Sequence, residues 1–130
     1  MRITLNGIPV DDQKRAQRFY TEVLGFETKH EIPLGPDVFW ITLVTPGWHD
    51  DVELVLEPND NPASQAFQAA LFEQGIPMTA FEVDDVEAEH RRLEEAGVVF
   101  TKEPTEMGGT TLAVFSDTCG NLIQIFQPPS

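Results

Sequence analysis

The sequence contains one short segment twice, and this internal repeat constrains the fold more than any other feature. The first copy, VDDQKRAQRFYTEVLGF, runs from Val10 to Phe26, and the second, VDDVEAEHRRLEEAGVVF, runs from Val83 to Phe100. Each copy follows a β-rich run, passes through paired aspartates into a helical pattern, and ends at a glycine before another β-rich run. Because a repeat of this kind defines an architecture, the chain is expected to consist of two similar units.

The residue periodicity predicts the order strand, helix and three strands in each unit. An apolar stripe at helical spacing follows Asp11 or Asp12, one of which caps the first helix, and Gly25 ends that helix. Asp84 or Asp85 caps the second, which Gly97 ends. Strands are predicted at 2–10, 26–32, 38–44 and 52–57, and again at 78–83, 98–101, 110–115 and 122–127, with a loop at 103–109.

A third helix connects the two units. Asn61 is its expected cap and Pro62 its first residue. Its apolar stripe at helical spacing consists of Ala63, Ala66, Phe67, Ala70 and Leu71. The chain is therefore interpreted as a single α+β domain in which the first unit spans 1–58, a linker with a helix spans 59–76, and the second unit spans 77–130.

Composition and charge exclude several kinds of partner. The 130 residues carry a formal net charge of −14, which disfavours nucleic acid and anionic membranes and favours cationic small molecules.

No apolar run approaches the ~20 residues of a membrane-spanning helix. The N-terminus has no signal-peptide pattern, and the single cysteine, Cys119, cannot form an internal disulfide. These features predict a cytoplasmic protein.

Two stretches carry a family resemblance. The segment VDDQKRAQRFYTEVLGF and the closing DTCGNLIQIFQ resemble the vicinal oxygen chelate superfamily, which includes glyoxalase I, extradiol dioxygenases and bleomycin-resistance proteins. The resemblance implies that two tandem βαβββ units form a curved, incomplete β-barrel around a cavity. It also implies a homodimer, and in the metal-using members a divalent ion held by four side chains.

The four metal-ligand positions that the resemblance implies fall on Leu5, Glu53, Met78 and Gln124. Leucine cannot coordinate a metal, and a thioether favours soft ions. Since a catalytic zinc needs at least three protein ligands, the sequence predicts neither a metal nor any other cofactor. No two of the three histidines have a metal-binding spacing, and His90 is interpreted as a partly buried packing residue.

The same positions are candidates for binding a small molecule. Strand alternation places Glu53 on the expected cavity side, where it could bind a cationic group, act as a base if burial raised its pKa, or lie near solvent at the rim. Leu5 and Met78 would line an apolar pocket or fill the interior. Trp40 could stack on a planar ligand or pack in the core, and Trp48, in a Pro-Gly loop, is expected to be more exposed.

Besides metal-independent acid–base chemistry by Glu53 alone, two functions remain open from the sequence. The first is a metal-free, glyoxalase/bleomycin-resistance-like protein that binds a cationic or aromatic small molecule through Leu5, Trp40, Trp48, Glu53, Met78 and Gln124. The alternative is a metal-dependent lyase or dioxygenase of the glyoxalase type with an atypical site. The catalytic residues of such an enzyme cannot be assigned from the sequence, which does not decide whether the protein is an enzyme.

Overall fold

The structure is a computed structural model that describes residues 1–129. It contains two compact units, of which the first comprises Met1–Ala66 and the second begins at Phe67. Each unit holds one four-stranded sheet and repeats the order strand, helix and three strands. The expectation of two tandem βαβββ units in an α+β protein is therefore confirmed.

The first unit builds its sheet in the strand order β1-β4-β3-β2, with β1 parallel to β4 and the other pairs antiparallel. Its helix α1 continues without a break into a π-helical turn. The elements are β1 Leu5–Val10, α1 Gln13–Arg18, the π-helical turn Phe19–Val23, β2 Glu27–Pro33, β3 Phe39–Val44 and β4 Glu53–Pro58.

The second unit repeats this arrangement in the order β5-β8-β7-β6, with β5 parallel to β8. The connecting helix α2 begins in the first unit and ends in the second. The elements are α2 Pro62–Glu73, β5 Thr79–Glu82, α3 Val86–Glu95, β6 Phe100–Met107, β7 Thr110–Ser116 and β8 Leu122–Gln127.

Side-chain caps begin both repeated helices. Asp12 accepts a hydrogen bond from the backbone N–H of Arg15 at 3.0 Å, and Asp85 accepts one from the N–H of Ala88 at 3.1 Å. Each carboxylate thereby satisfies a donor that the first helical turn leaves free. Of each aspartate pair in the repeat, it is the second member that serves as the cap.

Helix α1 is held against its sheet by buried side chains and by the hydrogen bonds of one side-chain amide. Ala16 and Tyr20 are completely buried. The Gln13 amide donates to the carbonyl oxygens of Phe39 and Leu56 at 2.8 and 2.7 Å, and its oxygen accepts from the Phe39 N–H at 3.0 Å. These bonds satisfy a buried polar side chain and fix α1 against β3 and β4.

The apolar stripe of α2 is largely exposed within the chain. Phe67 is 57% exposed, the alanines of the stripe are exposed, and Gln68 is the helix's buried residue. The Gln68 amide donates to the Cys119 carbonyl at 3.1 Å and to Asn121 Oδ1 at 3.0 Å. A polar bond to the β7–β8 turn therefore holds this helix.

The loop predicted at 103–109 is also wrong over most of its length. Strand β6 continues to Met107, and its pairing with β7 shifts register between Phe100 and Lys102 and again before Thr105. Such bulges accommodate Pro104, which has no N–H to donate to a regular ladder. Among residues 1–129, no helix is both long enough and apolar enough to cross a membrane.

Candidate ligand-binding face

One face of the first sheet lies opposite α1 and carries three of the candidate residues that the sequence singled out. A Cβ added to Gly7 would lie 2.9 Å from side-chain atoms of Val55 and Glu57, so these three positions share a face. Leu5 pairs with Glu53 in the same register. We call this surface the helix-distal face of the first sheet. It comprises Leu5, Gly7, Trp40, Thr42, Glu53, Val55 and Glu57.

Strand β3 adds two side chains to this face. Thr42 pairs with Val55, and Trp40 lies two residues earlier on the same side of the strand. Phe39 points to the other side, where the Lys14 ammonium lies 4.4 Å from its ring centre. Trp40 is thus half-buried on the helix-distal face and not under α1.

Glu53 is the centre of charge on the helix-distal face. Its side chain is 19% exposed, with Lys29 Nζ 3.4 Å from one carboxylate oxygen and His30 Nε2 3.7 Å from the other. Lys29 and His30 are consecutive residues, yet both reach the same carboxylate. This is possible because β2 shifts its register between Thr28 and His30, and a bulge re-aims the side chains that flank it.

The surroundings of Glu53 keep it ionised. The neighbouring Thr42 hydroxyl is the largest influence lowering its pKa, burial opposes this effect, and the charges of Lys29 and His30 lower the pKa further. The Thr42 hydroxyl oxygen is buried, and none of its contacts with the described residues has the geometry of a normal hydrogen bond. It therefore lowers the pKa of Glu53 because it lies close to the carboxylate. A lowered pKa does not support Glu53 as a general base activated by burial.

The remaining candidate residues of the first unit, Leu5 and Trp48, lie at or beyond the edge of the helix-distal face. Leu5 is 44% exposed at the start of β1. Trp48 is 64% exposed in the loop between β3 and β4, with its ring edge-to-face against His49 at 4.7 Å. The structure therefore brings Leu5, Trp40 and Glu53 onto one sheet face, while Trp48 lies outside that face in a loop.

In the second unit, Gln124 lies on the sheet face opposite α3. The side chain of Gln127 accepts a hydrogen bond from the Val86 N–H at the start of α3, so odd-numbered residues of β8 face that helix. Gln124 points the other way, and its partner on β5 is Ala80. Met78 precedes β5, and its N–H donates to the Leu122 carbonyl at 2.8 Å.

The strand registers change the correspondence between the two units. Because Asp12 and Asp85 cap equivalent helices, Ala80 corresponds to Gly7 along the repeat. The partner of Gly7 is Val55, and the partner of Ala80 is Gln124. Gln124 thus corresponds to Val55 and not to Glu53, which is two residues away from the equivalence of Glu53 and Gln124 that the family resemblance implies.

These donors do not fit a hard divalent ion at the positions used by metal-binding relatives. Leu5 and Ala80 have no donor atom, and Met78 offers only a thioether. Glu53 already has Lys29 and His30 beside its carboxylate. Gln124 provides one neutral amide, whereas a zinc centre needs at least three protein ligands.

Sequence reasoning missed three members of this site, namely Lys29, His30 and Thr42. All three approach Glu53 through strand pairing and a bulge, neither of which leaves a clear sequence signal. The alternation of β3 would have predicted Thr42 on the same side as Trp40. The bulge that brings Lys29 and His30 together had no such indication.

Each unit is a helix packed on one face of a four-stranded sheet whose opposite face carries the candidate residues, and this arrangement defines a paired βαβββ protein. The family model of the glyoxalase/bleomycin resistance protein/dioxygenase superfamily matches residues 2–125. The chain belongs to this superfamily, which confirms the family resemblance.

Individual relatives cover nearly the whole chain. An uncharacterized Bacillus subtilis protein, YurT, is 53% identical over 127 residues, which make up 98% of this chain and 99% of YurT. The crystal structure of UcmS2 is similar at 32% identity with a TM-score of 0.82, covering 97% of both chains. TnmS3, an antibiotic binding protein from Streptomyces sp. CB03234, is 30% identical with a TM-score of 0.76, covering 98% of this chain and 96% of TnmS3.

Proposed function

We propose that this protein binds a planar, cationic small molecule without the help of a metal, using the helix-distal face of its first sheet. Trp40 provides a surface for stacking, Leu5 provides apolar contact, and Glu53 provides the charge. Small-molecule sites commonly combine an apolar surface with a few fixed polar groups.

The observation that carries the proposal is the state of Glu53. Its carboxylate is ionised, partly buried and fixed by Lys29 and His30, and it lies beside Leu5, which cannot coordinate a metal. An ionised carboxylate beside an apolar side chain and an indole ring supports recognition of a cationic ligand, and the neighbouring residues lack the ligands that a metal ion needs. The similarity to TnmS3, an antibiotic binding protein, supports the same class of function.

The test uses Trp40 as its reporter. The substitution Trp48→Phe leaves Trp40 as the single tryptophan, because the chain has two. We expect metal-free bleomycin or the planar cation ethidium to quench Trp40 fluorescence saturably in the presence of EDTA. The substitution Glu53→Gln is expected to weaken binding roughly tenfold or more, because hydrogen bonds to charged groups contribute about 1.5–3 kcal/mol.

The matched control is Glu106→Gln, which makes the same change of charge on an exposed position of β6 in the second unit. It should leave the binding constant unchanged. If neither probe quenches Trp40 or raises the melting temperature of the protein, the proposal is overturned. Equal weakening by both substitutions would show that net charge, and not the helix-distal face, determines binding.

The alternative is a metal-dependent lyase or dioxygenase with an atypical site. It requires a divalent ion at Glu53, whose carboxylate is paired with Lys29 and His30. Elemental analysis of untagged protein, compared between wild type and Glu53→Gln, distinguishes the two functions. Metal that is lost on this substitution would establish the alternative. Assembly as a homodimer and a cytoplasmic location stay predictions.

A further inference from the structure

Three side chains of the second unit converge on the opposite side of its sheet from Gln124. His90 and Glu94 are four residues apart on α3, and Glu103 lies on β6. One oxygen or nitrogen atom from each lies within 4.8 Å of the others. His90 Nε2 is 2.8 Å from a Glu103 oxygen and 3.5 Å from a Glu94 oxygen. We call these three residues the His90 cluster.

The imidazole of the cluster is held rigidly. His90 is 13% exposed, and its ring lies edge-to-face on Phe100 with the ring centres 4.5 Å apart. Phe100 in turn contacts the buried ring of Phe115 at 5.5 Å. The aromatic stack fixes where Nε2 points, and a fixed imidazole is a prerequisite of a preorganised ligand site.

The Nε2 atom of His90 is fully buried and has no hydrogen bond among the residues that the structure describes. The Glu103 oxygen is close enough, but it lies off the direction in which an N–H would donate. A buried polar atom without a hydrogen bond is costly, and Glu94 and Glu103 bring two carboxylates close together beside it. A cation placed between the three atoms removes both penalties.

The distances match those between ligands of one metal ion. Zinc bonds of about 2.0–2.2 Å, at angles between octahedral and tetrahedral values, separate neighbouring nitrogen and oxygen ligands by about 3.0–3.5 Å. The two observed separations, 2.8 and 3.5 Å, bracket this range closely. In such a geometry the nitrogen lone pair points at the metal and not at the neighbouring oxygen, which agrees with a His90 Nε2 that has a Glu103 oxygen at 2.8 Å but no hydrogen bond among the described residues.

We propose that His90, Glu94 and Glu103 bind a zinc ion, with water in the fourth position. One imidazole and two carboxylates suit zinc in preference to magnesium or calcium, which favour all-oxygen sites. Glu94 and Glu103 are 50% and 71% exposed, so the ion can enter from solvent. The zinc ties α3 to β6, and it lies on the helix side of its sheet, away from the proposed ligand-binding face.

The experiment measures zinc binding by calorimetry on untagged, EDTA-treated protein. We expect about one Zn²⁺ per chain, with Co²⁺ giving a visible spectrum typical of nitrogen and oxygen ligands. Magnesium and calcium in excess should not displace the zinc. Single substitutions His90→Gln, Glu94→Gln and Glu103→Gln should each weaken zinc binding roughly tenfold or more.

Two controls separate a built site from adventitious binding to an acidic surface. Glu95→Gln changes an exposed carboxylate on the same helix, and His49→Gln removes a histidine from a loop of the first unit. Neither should weaken binding. Zinc should raise the melting temperature of the wild type and raise that of Glu103→Gln less, because only the wild type gains the full binding free energy on folding.

Glu103→Gln keeps the test valid if His90→Gln fails to fold, since the Glu103 side chain is mostly exposed. Absence of zinc binding, or equal binding by the cluster and control variants, would overturn the proposal. Because the His90 cluster and the helix-distal face are in different units, the outcome is independent of the bleomycin and ethidium measurements.

Discussion

At Gly120, the missing side chain makes room for a residue of another element. A Cβ at this position would lie 2.6 Å from Nε2 of Gln68, and the backbone has a φ of +100°, which side chains with a Cβ rarely adopt. The turn around it is held by Asp117, which accepts from the N–H groups of Cys119 and Asn121 at 2.7 and 3.0 Å. One glycine thus permits both the turn and the buried amide of α2.

Substitution of Gly120 tests this arrangement. We expect Gly120→Ala to lower the free energy of unfolding by about 2 kcal/mol or more, because it adds backbone strain and a clash. Gly35→Ala is the matched control, since a Cβ there meets nothing within 4 Å and φ is outside the left-handed region. Urea denaturation measures both variants, and equal stability would show that the turn tolerates a side chain.

The neighbours of a single residue also explain why Glu53 is ionised. Its lowered pKa comes from Thr42, Lys29 and His30, all of which approach it by strand pairing. The identity of one glutamate in a strand did not reveal these neighbours. Glu53 could be chosen as a candidate residue from the sequence, whereas its ionisation state could be derived only from the folded structure.

At the scale of elements, the repeated helices begin in the same way. Asp12 and Asp85 both have extended backbone, and both accept a hydrogen bond from the third residue after them. Each cap follows the first strand of its unit directly and so sets where the chain leaves the sheet. This local chemistry explains why the repeat was visible in the sequence.

The cap of α3 gives a prediction with a built-in control. Asp85→Ala should destabilise the protein by about 1 kcal/mol, because the Ala88 N–H loses its partner. Asp84→Ala makes the same change of charge one residue earlier and should have an effect within about 0.5 kcal/mol. Urea midpoints and amide exchange in the first turn of α3 measure the difference. A larger loss of stability in Asp84→Ala than in Asp85→Ala would show that Asp85 is not the cap of α3.

At the scale of the whole molecule, the net negative charge is the feature with the longest reach. The net charge of −14 attracts cations over long distances whatever site they finally occupy. Such steering depends on ionic strength, because the Debye length falls from about 30 Å at 0.01 M salt to about 10 Å at 0.1 M. Charge therefore affects how fast a cationic ligand arrives, whereas the proposed binding by the helix-distal face concerns how such a ligand is held.

We expect the association rate of ethidium with the Trp48→Phe protein to fall steeply between 0.01 and about 0.1 M salt, since screening removes the attraction. A planar neutral dye should show no such dependence. Stopped-flow quenching of Trp40 measures both rates. Identical salt dependence for the two dyes would show that the acidic surface does not steer ligands.

The sequence by itself determined the two βαβββ units, their capped helices and their glycine stops. These features depend on residues close together in the chain, such as Asp12 with Arg15 and Gly25 after α1, so local patterns are sufficient to predict them. Local patterns were not sufficient for α2, whose apolar stripe is largely exposed and whose tertiary contact is made by Gln68.

Only the tertiary structure decided which side chains meet. It placed Trp40 with Glu53, matched Gln124 with Val55 across the repeat, and brought Glu103 beside His90. The His90–Glu94 spacing was visible in the sequence, but Glu103 reaches them through the pairing of β6. Strand register and bulges create such neighbours between residues distant in sequence, and a change of one residue in register exchanges the two faces of a strand.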